Sequence, residues 1–191
     1  MTVTHLTPQD YATSHWSGGE TTQLMIWPRD AVYARRDFLW RLSSATVELD
    51  KSVFTALPDY DRLIATLEGT ITLSHDGAKP LTLAPYQVHA FDGGSKTVSF
   101  GRCRDFNLML RKGAATGSLT PLSLGPDPVA CPLNEADLVL LYCAEGRCTV
   151  DTGDGVHDLS SGESLLLEEP GSRVLTLRGD ARLMLARMRK A

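Results

Sequence analysis

The stretch Ala65-Thr66-Leu67-Glu68-Gly69-Thr70-Ile71-Thr72-Leu73 decides the fold. Alternating residues of β preference flank a Glu-Gly pair. The polar turn Ser74-His75-Asp76-Gly77 and a further strand at Leu81-Thr82-Leu83 follow. Alternation at a period of two marks strands with one apolar face, bounded by turn residues. The same text recurs as Tyr142-Cys143-Ala144-Glu145-Gly146-Arg147-Cys148-Thr149-Val150, with Gly146 standing 77 positions after Gly69. It too runs into a polar turn, Asp151-Thr152-Gly153-Asp154-Gly155, and then His157-Asp158-Leu159. A second marker, Leu108-Met109-Leu110, is matched 75 positions later by Leu183-Met184-Leu185. Two markers at nearly equal spacing predict a duplicated β unit.

Outward from this repeat the chain reads as strands almost throughout, as in Trp40-Arg41-Leu42-Ser43-Ser44-Ala45-Thr46-Val47. No long amphipathic helix is legible; at most a short helical turn is expected around Pro132 to Asp137. The 16 Gly and 10 Pro suit many tight connections, which predicts an all-β sandwich or barrel. The 191 residues allow one domain or two fused half-domains. Four prolines between Pro121 and Pro132 predict a linker there. The expected division is an N-terminal barrel with its N-terminal strands over 1–120, a linker over 121–132, and a smaller C-terminal half over 133–191.

Charge and composition exclude several functions. A net charge of −4 does not supply the basic field that phosphate-dominated nucleic-acid binding needs. No apolar run approaches the roughly 20 residues that span a bilayer. Met1 to Asp10 carries neither a basic segment nor an apolar one, so no secretory signal is expected and the default compartment is the cytoplasm. Cys103, Cys131, Cys143 and Cys148 form no Cys-x-x-Cys pair and read as small buried hydrophobes. Cys143 and Cys148 flank a turn, but a reducing compartment disfavours a disulfide between them. His5, His15, His75, His89 and His157 stand singly, without the spacing of a metal site, so no metal or other cofactor is expected.

Strand parity points to a polar pocket. From Trp40, one face carries Arg41, Ser43, Ala45, Val47 and Leu49, which sets a cation and a hydroxyl among apolar neighbours. From Arg104, parity separates Asp105, Asn107, Met109 and Arg111 from Phe106, Leu108 and Leu110. A small barrel turns one strand face inward; if that face is the polar one, Asp105 and Asn107 are pocket residues, and the alternative is that they cap turns or bind backbone. Thr21 and Thr22 follow the Gly18-Gly19 turn, whose N–H groups suit an anion; a plain hairpin turn is the alternative. Arg41 beside Trp40 has a plain alternative as well, a solvated guanidinium stacked on the indole. Trp16 and Trp27 read as packing residues. No Gly-x-Ser-x-Gly elbow, phosphate-binding loop or dinucleotide fingerprint occurs, which favours a binding protein over an enzyme.

Leu67-Glu68-Gly69 followed by strand, polar turn and strand resembles the cupin barrel, and two copies resemble a bicupin. Cupins usually hold a metal through two His and a Glu in the first motif and one His in the second. The Glu position, seven residues before Gly69, is Arg62, and the upstream Leu57-Pro58-Asp59-Tyr60-Asp61 has no His. His89 falls one residue short of the last ligand position and reads as a surface or core histidine. A guanidinium in a carboxylate's place repels a divalent metal and attracts a carboxylate or phosphate. The alternative for Arg62 is a structural ion pair with Asp61 or Asp105. A narrower resemblance, to the HutD/Ves family, rests on five segments in order. They are Trp16-Ser17-Gly18-Gly19-Glu20-Thr21-Thr22, Phe38-Leu39-Trp40-Arg41-Leu42-Ser43-Ser44-Ala45, Val53 to Arg62 running into Leu67-Glu68-Gly69, Phe91-Asp92-Gly93, and Arg104-Asp105-Phe106-Asn107-Leu108-Met109. Asp59 and Glu20 stand where the family more often has Gly.

The resemblance implies an all-β bicupin of double-stranded β-helix barrels. It further implies a non-catalytic protein that binds a small anionic metabolite such as N-formylglutamate and regulates histidine utilisation. Arg62, Arg41, Asp105, Asn107, Thr21, Thr22, Trp40 and Ser43 are the candidate ligand-binding residues. The alternatives are a metal-free or atypically metallated cupin hydrolase or isomerase acting on a small carboxylate, and a partner-binding protein that dimerises through edge strands.

Overall fold

Alternating, β-branched segments cut by Gly, Pro and Asp produce 17 strands and only two single 3₁₀ turns. The structure, a computed structural model, describes residues 1–191. Its strands fall into two compact units, Tyr11–Thr116 with Ala191, and Met1–Asp10 with Gly117–Lys190. In chain order β1 is Thr2–Leu6, β2 Ala12–Trp16, β3 Gly19–Trp27, β4 Trp40–Val47, β5 Lys51–Val53 and β6 Tyr60–Glu68. Then come β7 Ile71–His75, β8 Leu81–Leu83, β9 His89–Asp92, β10 Thr97–Phe100 and β11 Cys103–Arg111. The last are β12 Ala115–Ser123, β13 Val129–Pro132, β14 Leu138–Asp151, β15 Val156–Ser160, β16 Ser164–Glu168 and β17 Val174–Lys190.

The unit over 11–116 holds a six-stranded sheet, β2-β3-β4-β11-β6-β9, and a four-stranded sheet, β5-β10-β7-β8. Central β11 sets the face that matters. Its Met109 pairs with Arg41 on one side and Arg62 on the other. Asn107 pairs with Ser43 and Ile64, and Asp105 with Ala45 and Thr66. Directly paired residues point to the same side of a sheet. Three strands therefore present one polar patch, while Phe106, Leu108, Trp40 and Leu42 are buried on the other face.

The second unit is one seven-stranded sheet, β1-β16-β14-β17-β12, with β13 on β17 and β15 on β14. It repeats a local device of the first. Gly69 and Gly146 take φ of +79° and +78°. A Cβ on Gly69 would sit 2.4 Å from Arg102 O and one on Gly146 2.1 Å from Asp180 O, so no other residue fits beside the neighbouring strand. Beside each glycine the ladder slips by one residue, leaving Glu68 opposite Arg104 and Glu145 opposite Arg182.

That register corrects the second repeat marker. Thr66 opposite Asp105 corresponds to Cys143 opposite Leu183, so Leu183-Met184-Leu185 matches Asp105-Phe106-Asn107, three positions from the expected Leu108-Met109-Leu110. Both faces of β11 and β17 are buried here, so apolar residues alone do not reveal which face is which. The polar patch of the first unit thus has Val139, Leu141, Cys143, Leu183 and Leu185 as its counterpart. These belong to one apolar cluster with Leu165, Leu167 and Leu177.

Three further expectations are corrected. The stretch 121–132 is not a free linker, because Pro121 lies in β12 and Pro132 in β13, which pairs only with β17. Proline is tolerated at such an edge, where its missing N–H costs no ladder bond. The turn after Pro132 is not helical: Asn134 and Glu135 both have left-handed φ, 56° and 53°. Residues 1–120 do not form one unit, since Thr2–Leu6 pair along their length with β16.

Candidate functional site

The polar patch on β4, β11 and β6 lines a cavity of about 360 Å³ in the unit over 11–116. Arg62, Arg41, Asp105, Asn107, Ser43 and Thr21 all line it. Thr22 and Trp40 do not, because strand alternation turns them away from their neighbours Thr21 and Arg41. Thr22 instead meets Thr13 (Oγ1 to Oγ1, 3.0 Å), and Trp40 stacks on Trp27 with ring centroids 6.1 Å apart. The Gly18-Gly19 turn is the hairpin alternative, joining β2 to β3 with Trp16 opposite Gly19.

The two guanidiniums are held differently. Arg41 donates from Nε to Gln23 Oε1 (2.8 Å) and from Nη1 to Ser43 Oγ (3.2 Å), and it lies over the Tyr33 ring at 4.3 Å. Arg62 is only 7% exposed and lies over Phe54 and Phe91 at 5.0 and 5.2 Å. Its guanidinium has no hydrogen-bond or ion-pair partner in the protein, and its Nε is buried without an acceptor. The expected alternative, a structural ion pair with Asp61 or Asp105, does not form.

Asp105 accepts from the backbone N–H of Ala45 at Oδ1 (3.1 Å), and its carbonyl accepts from Ser44 Oγ (2.6 Å). Neither arginine makes a salt bridge to it. The Asn107 amide oxygen is buried without a donor. Burial pushes the Asp105 carboxyl up to about 6, against the pull of the Ala45 N–H and the two guanidiniums. Burial likewise brings Arg62 down to about 10 and lowers Arg41, and both remain cations near neutral pH. The cavity therefore combines two cations with one reluctant carboxylate.

Parity did not reveal the rest of the lining. Tyr33 sits in the 3₁₀ turn Tyr33–Arg35, and Phe54 just beyond the three-residue β5, segments too short for a period. Trp16, read as a packing residue, borders the cavity and is 41% exposed, whereas Trp27 packs.

The residues present do not fit the metal set of the barrel they resemble. Arg62 fills the carboxylate position, and no three His, Cys, Asp or Glu side chains converge anywhere in the chain. His89 turns to His75 instead (Nε2 to Nε2, 2.9 Å), and His75 Nδ1 meets Thr97 Oγ1 at 2.8 Å. Burial lowers the basicity of both imidazoles.

The HutD family profile matches residues 8–185. The chain belongs to the HutD family. Among solved structures, this HutD chain is similar to a conserved protein of unknown function from Pseudomonas aeruginosa PAO1. That match has 24% identity and a TM-score of 0.88, covering 99% of this chain and 100% of the other. HutD from Pseudomonas fluorescens SBW25 matches at 24% identity and TM-score 0.81 over 100% of both chains. The bacterial pirin YhhW from Escherichia coli, solved with nickel(II), matches at 11% identity and TM-score 0.68 over 97% and 98% of the two chains. The fold of this HutD chain is accordingly all-β and cupin-like. No curated protein matches the sequence significantly. No helix of the chain is long and apolar enough to cross a membrane.

Proposed function

We propose that this HutD chain is a non-catalytic binding protein for a small carboxylate metabolite. N-formylglutamate is the ligand its place in histidine utilisation suggests, and a regulatory role in the cytoplasm is the corresponding task. One observation carries the reading: Arg62 is a buried cation whose donors have no acceptor in the protein and which borders a cavity. A buried unpaired charge is costly, and a carboxylate from outside relieves that cost through charge-assisted hydrogen bonds. Of the two related cupin halves in this reading, only the first is a binding module; the matching face of the second is filled by Leu and Val.

Calorimetric titration with N-formylglutamate, glutamate, urocanate and formate tests this. Formate is included because the P. fluorescens HutD structure was obtained in a formate condition. Saturable heat with at least one of them, lost in Arg62→Ala, is expected. Silence from all four at millimolar concentration would overturn the reading. The Asp105 carboxyl, raised toward neutrality in a cavity, is the feature that favours an enzyme instead. Release of free formate from N-formylglutamate, followed by NMR, would decide for that alternative; no turnover is expected.

A further inference from the structure

We infer that Asp105 makes the cavity selective for carboxylates that carry an N–H or O–H donor beside the anionic group, over plain carboxylates of the same size. The inference rests on the reading of the cavity as an anion site and names the ligand class that site takes. It starts from a contradiction in the site. A cavity that held only an anion would be better served by a neutral residue at 105, because a buried carboxylate repels the ligand. The arginines act on it only through space, since neither makes a salt bridge to it. Nor does the sheet require it: Leu183 occupies the corresponding ladder position of the second unit, fully buried.

What the protein itself asks of Asp105 uses one oxygen. Oδ1 accepts from Ala45 N–H, and no protein group donates to Oδ2. Two open features thus border one cavity: the Arg62 donors, which need an acceptor, and Asp105 Oδ2, which needs a donor. An acceptor left unpaired once a ligand displaces water penalises a ligand that cannot supply the hydrogen, much as a missing hydroxyl is punished in a site built to bind one. The complement is a single molecule with a carboxylate for Arg62 and an N–H or O–H for Asp105.

The test compares matched diacids on the full chain by calorimetry near neutral pH: glutarate, which has no donor, against 2-hydroxyglutarate and N-formylglutamate. At least one donor-bearing diacid is expected to bind about tenfold or more tightly than glutarate. In Asp105→Asn the gap should shrink and glutarate itself should bind more tightly, because the repulsion is gone. A second measurement needs no variant. Asp105 is faced by Arg41 on β4, Arg62 on β6, Tyr33 in the 3₁₀ turn and Cys103 on its own strand. The Asp105 carboxyl takes up a proton as pH falls through about 6. Glutarate should therefore gain affinity on acidification and the ratio should narrow. Glutarate binding as tightly as both donor-bearing diacids would overturn the inference and leave the anion site standing. Binding of none of the three would overturn the anion site and the inference together.

Discussion

Arg62 is a buried cation that no acceptor of the protein satisfies. A buried charge that no protein group pairs costs folding free energy, and a hydrophobe of similar volume removes that cost. Arg62→Met should accordingly abolish ligand binding while leaving the urea midpoint unchanged or raised. A clear loss of stability would show that the guanidinium braces the fold. Asp105 gives a matching pH prediction. Its folded carboxyl titrates near 6, above the ordinary 3.8, so the folded state holds the proton more tightly. Its contribution to stability is present below about pH 4 and is lost as pH rises through 6. Asp105→Asn should then be stabilised relative to the wild type above pH 6 and gain little below pH 4, as read by urea unfolding on either side of that window. Arg62 was legible because a cation stands where a related barrel has a carboxylate, and Asp105 and Asn107 because alternation sorts a strand into faces. Tyr33 and Phe54 were not, since a 3₁₀ turn and the end of a three-residue strand carry no period to read.

At the scale of the element, the Glu-Gly pair is where text and structure correspond most closely. Gly69 and Gly146 hold left-handed backbones against a carbonyl of the neighbouring strand, so the motif encodes a bulged ladder where paired strands leave no room for a Cβ. Gly146→Ala should cost about 1–3 kcal/mol from the strained φ, and more if the ladder has to part, as measured by thermal unfolding. The Leu-Met-Leu marker misled for a reason of packing. On strands buried on both faces, hydrophobicity does not report direction, and only the ladder aligns Leu183 with Asp105. Leu183→Asp should destabilise the chain by about 3 kcal/mol or more without adding a second anion site, because it buries a carboxylate in an apolar cluster that has no arginine to balance it.

At the scale of the whole molecule, composition announced an acidic, all-β chain, and position revealed a cationic cavity inside it. The repeat implied two halves but misjudged their borders, since alternation identifies a strand without naming the strand it pairs with. Thr2–Leu6 looked like the start of the first half, and its hydrogen bonds go to Ser164–Glu168. Deleting residues 1–6 should therefore destabilise the unit over 117–190, which hydrogen exchange would show as lost protection in β16. That pairing also bears on how the protein is made. Strand β1 leaves the ribosome before the unit over 11–116 and its partner β16 after it, so β1 must wait unpaired while that whole unit is synthesised. The unit that holds the cavity is complete before β16 exists. The cavity can take shape on a growing chain, and the unit over 117–190 closes only once β16 has followed.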